Sequence, residues 1–92
     1  MKSRTTQEFQ DECRKLPTDV RAKARATLRR FQEDANDPDL HFRHLRDTDL
    51  YAVHVGEAYR ALGILAGDTM VWFWIGTHAG IVEVPYRHIG FI

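Results

Sequence analysis

The chain has 92 residues, with 13 basic and 13 acidic side chains and a net charge of zero when its five histidines are neutral. This length builds one domain, residues 1–92, with one modest core, and the neutral charge argues against a protein whose whole surface binds nucleic acid. Cys13 is the single cysteine, which excludes an internal disulfide and a zinc site made of cysteines. Because no apolar run reaches membrane length, we expect a cytoplasmic protein without membrane contact.

Two amphipathic helices are predicted in the first third of the chain, as a helical hairpin over residues 6–34. The first, over residues 6–15, has apolar positions at helical spacing: Phe9, Cys13 and Leu16. Pro17 ends it. The second, over residues 18–34, has an apolar stripe with the spacing i, i+4, i+8, i+11: Val20, Ala24, Leu28 and Phe31. Most of the basic residues of this part of the chain lie off that stripe.

The apolar period changes from helical to two at about residue 41. Strands are predicted over residues 42–46, 50–55, 58–65 and 70–75, with a further strand over residues 81–84 that Pro85 interrupts. Trp72 and Trp74 alternate onto one face, which we expect to pack against the helices. The predicted fold is α+β, with the two helices on one face of a twisted antiparallel sheet of about four strands spanning residues 41–84.

The hairpin of the third and fourth predicted strands carries residues suited to chemistry on a phosphate. Arg60 lies near the start of one strand and His78 follows the end of the next. Arginine binds phosphate with a planar fork of N–H groups, and histidine exchanges protons near neutral pH. The residues alone favour a structural alternative, in which Arg60 forms an ion pair with Glu57, Asp68 or Glu83.

These strands also carry the residues of a known family pattern. The relevant segments are Leu50-Tyr51-Ala52-Val53-His54-Val55, Tyr59-Arg60-Ala61-Leu62 and the run from Trp72 and Trp74 through Gly76 to His78. Together with the helical hairpin, they give the chain, over about residues 5–80, an order and spacing that resemble the RelE/ParE superfamily of bacterial type II toxins. The resemblance implies a compact α+β, RelE-like domain, in agreement with the elements predicted above.

The resemblance also implies a function and partners. Many members of the superfamily are ribosome-dependent mRNA endonucleases that a cognate antitoxin holds inactive. We therefore expect a toxin that acts on mRNA and the ribosome, without a cofactor or metal, and an antitoxin segment that covers the sheet. Two alternatives remain open: a ParE-like toxin that inhibits DNA gyrase without hydrolysis, and a degenerate member that retains only antitoxin binding.

Four residues are predicted to be catalytic. By the resemblance, Arg60 stabilises charge on the scissile phosphate, His78 takes part in proton transfer, and His54 is the nearest match to a residue that contacts the phosphate or acts as the base. Glu57 lies just before the Tyr-Arg pair, where a carboxylate could act as a base or orient an imidazole. Cleavage would use the ribose 2′-hydroxyl as the nucleophile.

Three further residues are predicted to bind the substrate. Arg43 and Arg46 belong to a local basic patch, which could contact RNA phosphates, although a solvated edge strand explains the patch equally well. The chain departs from the family pattern after His78, where Gly80 and Ile81 replace an aromatic residue. Tyr86 is the later tyrosine that could stack on a base. No histidine or carboxylate pattern indicates a metal site.

Overall fold

The computed structural model describes residues 1–83, and the side chains of residues 1–80. The chain forms five strands and two α-helices: β1 (Lys2–Thr5), α1 (Gln7–Arg14), α2 (Thr18–Glu33), β2 (Arg43–His44), β3 (Leu50–Val55), β4 (Tyr59–Ala66) and β5 (Thr69–Thr77). Short 3₁₀ turns occupy Pro38–Leu40 and His78–Glu83. Within residues 1–83, no helix is long and apolar enough to cross a membrane.

The strands form a single mixed sheet in the order β1-β5-β4-β3-β2. The predicted strands pair antiparallel, whereas β1 pairs parallel with β5 from Lys2↔Thr69 to Thr5↔Trp72. The α+β class is confirmed, with five strands where about four were expected. Because β1 is polar and is held by main-chain bonds and by the Gln32 amide, which donates to the Ser3 carbonyl and hydroxyl, its sequence has no apolar alternation to reveal it.

The two helices pack on one face of the sheet and enclose the main core. Phe9 of α1 and Ala24 and Phe31 of α2 are buried there. The ring of Phe31 contacts Trp72 of β5 edge to face, with a centroid distance of 5.2 Å. Thr6 begins α1 by accepting a hydrogen bond from the Phe9 N–H. The predicted apolar stripes therefore face the sheet, as their spacing indicated.

The predicted strand over residues 81–84 is wrong for its described part. Residues 81–83 continue a 3₁₀ turn, and residue 84 lies outside the described residues. The His78 N–H still donates to the Ala58 carbonyl beside the start of β4, and beyond it the Gly80 N–H donates to the Thr77 hydroxyl. The local bond belongs to the 3₁₀ turn, and the last described strand, β5, ends at Thr77.

A β-bulge in β5 overturns the prediction that the two tryptophans share a face. Trp72 pairs with Gly63 and Trp74 pairs with Leu62, so Phe73 is the extra residue of the bulge. Because a bulge changes the alternation of side chains, Trp72 is fully buried under the helices. Trp74 packs on the opposite face, against the second apolar cluster around Leu62.

Replacing Gly63 with alanine is expected to destabilise the fold. A Cβ at this position would lie 2.7 Å from the Val71 carbonyl oxygen and 2.8 Å from Trp72 Cε3, and neither group is free to move. Overpacking of this kind costs roughly 1–3 kcal/mol. Urea unfolding of G63A would measure the loss. G67A is the control, because a Cβ at Gly67 meets nothing within 4 Å and adds only the strain of the positive φ of 64° at that residue. A G63A protein no less stable than G67A would contradict the prediction.

Candidate functional site

The sheet brings Arg60 and His54 directly opposite each other. Arg60 of β4 pairs with His54 of β3 on one side and with Gly76 of β5 on the other. Both side chains lie on the sheet face away from the helices, because alternation along their strands places them with Ala52 and Leu62 of the second apolar cluster. Opposite residues on neighbouring antiparallel strands have Cβ atoms about 5 Å apart. The guanidinium and the imidazole therefore share one site at the end of the open face.

The Arg60 side chain is half-buried and bonded to the main chain. Its Nη1 donates to the carbonyls of Glu57 and Tyr59, at 2.9 Å and 2.7 Å, whereas its Nε is buried without a hydrogen-bond partner among the described residues. The ion pairs considered from the sequence do not form in the described part of the chain. Glu57 offers only its carbonyl, Asp68 pairs with Lys2 at 3.2 Å, and the Glu83 side chain lies outside the described side chains.

An indole ring forms the neighbouring surface. A Cβ at Gly76 would lie 2.6 Å from Trp74 Cζ2, so the absence of a side chain at Gly76 lets the Trp74 ring lie close against β5, next to the residue that pairs with Arg60. The ring is half-buried. The alternation of the sequence predicted that Trp74 faces the helices. The bulge, which that alternation does not reveal, instead places the ring on the face that carries Arg60.

The surroundings of His54 lower its pKa. Its ring stacks on His41, with a centroid distance of 4.1 Å and an interplanar angle of 20°. Partial burial lowers the pKa of His54 below its ordinary value, and the nearby charges of Arg60, His41, Arg43 and His78 lower it further. His54 therefore favours the neutral form, in which one ring nitrogen can accept a proton.

The structure places the other predicted catalytic residues around His54 and Arg60. His78 begins the turn after β5, and its N–H donates to the Ala58 carbonyl at 3.0 Å, which fixes its main chain against the β3–β4 turn. Its imidazole is exposed and lies close enough to affect His54. Glu57 is exposed, and its carbonyl positions Arg60. No hydrogen bond joins the Glu57 carboxylate to an imidazole within residues 1–83.

The three predicted substrate-binding residues do not all lie in the cluster around Arg60 and His54. Arg43 on β2 is exposed and acts electrostatically on His54, so it belongs to the cluster. Arg46 is exposed in the segment after β2, and across residues 1–83 it makes no contact with the cluster. Tyr86 lies outside the described residues.

An open cleft of about 380 Å³ borders the cluster, between α2 and the β3–β4 turn. His41, His54 and Glu57 line one side, and Lys23 and Arg30 of α2 line the other. Among the described residues, no three His, Cys, Asp or Glu side chains are grouped so that they could hold a metal ion. The cleft combines imidazoles and cations with the carboxylates of Asp39 and Glu57.

The titration of His54 should be visible in the stability of the fold. Because its pKa is lower in the folded protein, the unfolded chain binds a proton more readily below about pH 6.5. The free energy of unfolding should therefore fall as the pH drops through 6.5 toward the lowered pKa. Urea unfolding between about pH 5 and 7.5 should show a shallower fall for H54Q than for wild type. Parallel curves for H54Q and wild type would refute this prediction.

Comparison with known families identifies the chain. The ParE-like toxin domain family matches residues 18–80, which include α2, β2 to β5 and the cluster around Arg60. The chain therefore belongs to the ParE-like toxin domain family, and the resemblance to the RelE/ParE superfamily is confirmed. A comparison with curated proteins finds no match.

Solved toxin structures share the fold. A chain of the RelB–RelE antitoxin–toxin complex from Methanococcus jannaschii is 18% identical, with a TM-score of 0.71 over 88% of this chain and 96% of that one. A chain of the Escherichia coli RelBE toxin–antitoxin complex is 19% identical, with a TM-score of 0.62 over 83% and 94%. YafQ from Escherichia coli is 13% identical, with a TM-score of 0.62 over 86% and 94%. At these identities, the likeness shows a common fold.

Proposed function

We propose that the chain is the toxin of a type II toxin–antitoxin pair and that it cleaves mRNA on the ribosome without a metal or cofactor. The observation that carries this proposal is the direct pairing of Arg60 with His54 on neighbouring strands, with His78 close by. A permanent cation beside groups that exchange protons is what metal-free cleavage of a phosphodiester requires. Membership in a toxin family supports the proposal.

In the proposed reaction, neutral His54 removes the proton of the ribose 2′-hydroxyl. The 2′-oxygen then attacks the adjacent phosphorus, and the bond from phosphorus to the 5′-oxygen breaks. His78 in its protonated form gives a proton to the leaving 5′-oxygen. The products are a 2′,3′-cyclic phosphate and a 5′-hydroxyl. The lowered pKa of His54 suits its role because a base must be neutral at the working pH.

Arg60 stabilises the charge that develops on the phosphate oxygens. Its Nη1 is held by two carbonyls, so the edge formed by Nε and Nη2 is the one proposed to bind phosphate as a planar fork. The Nε is buried without a partner among the described residues, and an unsatisfied buried donor costs about 1–3 kcal/mol. Binding by this fork therefore requires the Arg60 side chain to turn so that Nε is exposed to the phosphate.

The remaining predicted residues receive supporting roles. Arg43 and Arg46 bind backbone phosphates beside the scissile one, with Arg43 the nearer to His54. Glu57 orients Arg60 through its carbonyl, and its carboxylate lies on the cleft that His54 also lines. Tyr86 stacks on a substrate base.

The proposed protein partner is a cognate antitoxin, whose segment covers the open face of the sheet. Leu45, Ile64 and Trp74 are only partly buried on this face. The solved complexes of RelB with RelE and of DinJ with YafQ support an antitoxin for a protein of this fold. Co-expression with the small open reading frame beside the toxin gene should give a complex and relieve toxicity.

The competing candidate is a toxin that inhibits DNA gyrase without hydrolysis. The family that matches the chain is named for ParE, which favours this alternative. Primer extension on mRNA from a translating extract decides between the two. Discrete cuts that require ribosomes support the nuclease, whereas a folded protein that makes no cuts and blocks supercoiling by gyrase supports the alternative.

A further inference from the structure

His41 is presented to the site by a strained turn. It follows the 3₁₀ turn Pro38–Leu40 and has a left-handed backbone, with φ 48°. A non-glycine residue in this region is uncommon, and such residues occur often at functional sites. The His41 N–H donates to the Pro38 carbonyl, and Leu40 is buried in the core. The turn that leads into the strained residue is therefore fixed.

A residue of α2 holds this turn in place. Arg30 Nη1 lies 3.4 Å from carboxylate oxygens of both Asp37 and Asp39. Asp37 also accepts a hydrogen bond from the Asp39 N–H at 2.9 Å. The helix, the turn and His41 thus form one connected unit, and the ring of His41 is exposed at its end.

The His41 ring covers a part of β3 that lacks a neighbouring strand on that side. The short strand β2 pairs only with Tyr51 and Ala52, so at His54 the outer edge of β3 has no strand partner within residues 1–83. The His41 ring lies there instead, 4.1 Å from the ring of His54 and nearly parallel to it. This contact limits rotation of the His54 side chain on the side opposite Arg60.

We propose that His41 is a positioning residue, whose stacked ring holds the imidazole of His54 beside Arg60. The inference rests on the proposed function, since the positioned group is the base assigned to RNA cleavage. His41 acts through His54 and touches no reacting atom. Its effect is to fix the direction of the ring nitrogen that accepts the proton and to keep that nitrogen unprotonated.

The electrostatic part of this effect follows from the groups around the pair. Arg60 on β4, Arg43 on β2 and His78 after β5 all act on His54 as positive groups. Lys23 and Glu57 line the adjoining cleft. Arg30 also lines it and forms ion pairs with Asp37 and Asp39. Protonating both stacked imidazoles would place two like charges in contact, next to three further cations. The stack therefore opposes protonation of His54.

The test is a ¹H–¹³C NMR titration of His54 in the full chain. H41N removes the ring but tolerates the left-handed backbone, and H41F retains the stacked ring without its charge. H44N is the matched control, because His44 contacts Tyr51 and the Thr48 carbonyl, not His54. We expect the His54 titration to shift upward in H41N, to shift upward by less in H41F, and to stay unchanged in H44N.

A second readout is the pH profile of mRNA cleavage. Its acidic limb should move to higher pH in H41N and stay in place in H44N. An unchanged His54 titration in folded H41N and H41F would overturn the inference, whatever the activity. If the His54 titration shifts upward in H41N but the wild-type protein cleaves no RNA, the positioning role is supported and the nuclease proposal is refuted. The two failures are therefore distinguishable.

Discussion

Arg60→Ala protein is expected to lose ribosome-dependent mRNA cleavage by about 10²–10³-fold, equivalent to roughly 3–4 kcal/mol of transition-state stabilisation. The reason is that Arg60 is the permanent cation directly opposite His54, and charge increases on the phosphate as the 2′-oxygen attacks. Primer extension on mRNA from a translating extract would measure the rate, and growth after induction would report the same loss in cells.

Two variants sharpen this experiment. Arg60→Lys keeps the charge but removes the planar fork, so it should recover only part of the rate. Arg14→Ala removes an equally cationic side chain that is exposed on α1 and paired with Asp11 at 2.9 Å, and it should cleave as wild type does. Circular dichroism would show that each variant is folded. If a folded Arg60→Ala protein cleaved at the wild-type rate, the assignment of Arg60 would be wrong.

The part of the fold that the sequence predicts is the part whose apolar residues are periodic. The stripe from Val20 to Phe31 becomes α2, because its spacing matches the helical repeat and buries one face against the sheet. The same holds for β3, where Val53 and Val55 face the core. In contrast, β1 has a polar sequence and is held by main-chain pairing with β5, which leaves no side-chain pattern to detect.

The candidate site was predictable to the extent that it depends on strand pairing. Arg60 was identified from its strand position and His54 from the family resemblance, and the antiparallel register then makes them neighbours. The stacking of His41 was not predictable, because it depends on the left-handed backbone at His41 and on the contacts of Asp37 and Asp39 with Arg30, seven and nine residues earlier in the chain. Such contacts depend on tertiary packing and leave no periodic signal.

The position of Trp74 was mispredicted for a specific reason. Alternation places residues i and i+2 on one face of a strand, and the two tryptophans satisfy that spacing. The bulge at Phe73 adds one residue between them and exchanges the faces. A bulge is set by how β5 fits its neighbours, including the close approach of Gly63 to Trp72, so it is not encoded in the spacing of the tryptophans.

Trp72→Ala is expected to reduce the free energy of unfolding by about 3–5 kcal/mol, the usual cost of truncating a fully buried large aromatic side chain. Trp72 has no exposed surface, and it contacts Phe31 of α2 edge to face, so its removal opens a cavity between the sheet and the helices. Because small domains are stabilised by only about 5–15 kcal/mol, this one change should remove a large part of the total. Urea unfolding would measure it, with an unchanged slope as the sign that the two-state transition is retained.

Trp74→Ala is the matched control, since it removes the same side chain from the same strand. Trp74 is half-buried on the opposite face, and its loss should cost about half as much, because the hydrophobic contribution scales with the apolar area removed from water. Equal losses for the two variants would contradict the difference in burial between the two rings. A loss at Trp72 about twice that at Trp74 is expected because Trp72 is enclosed under the helices, whereas Trp74 is half-buried on the opposite face.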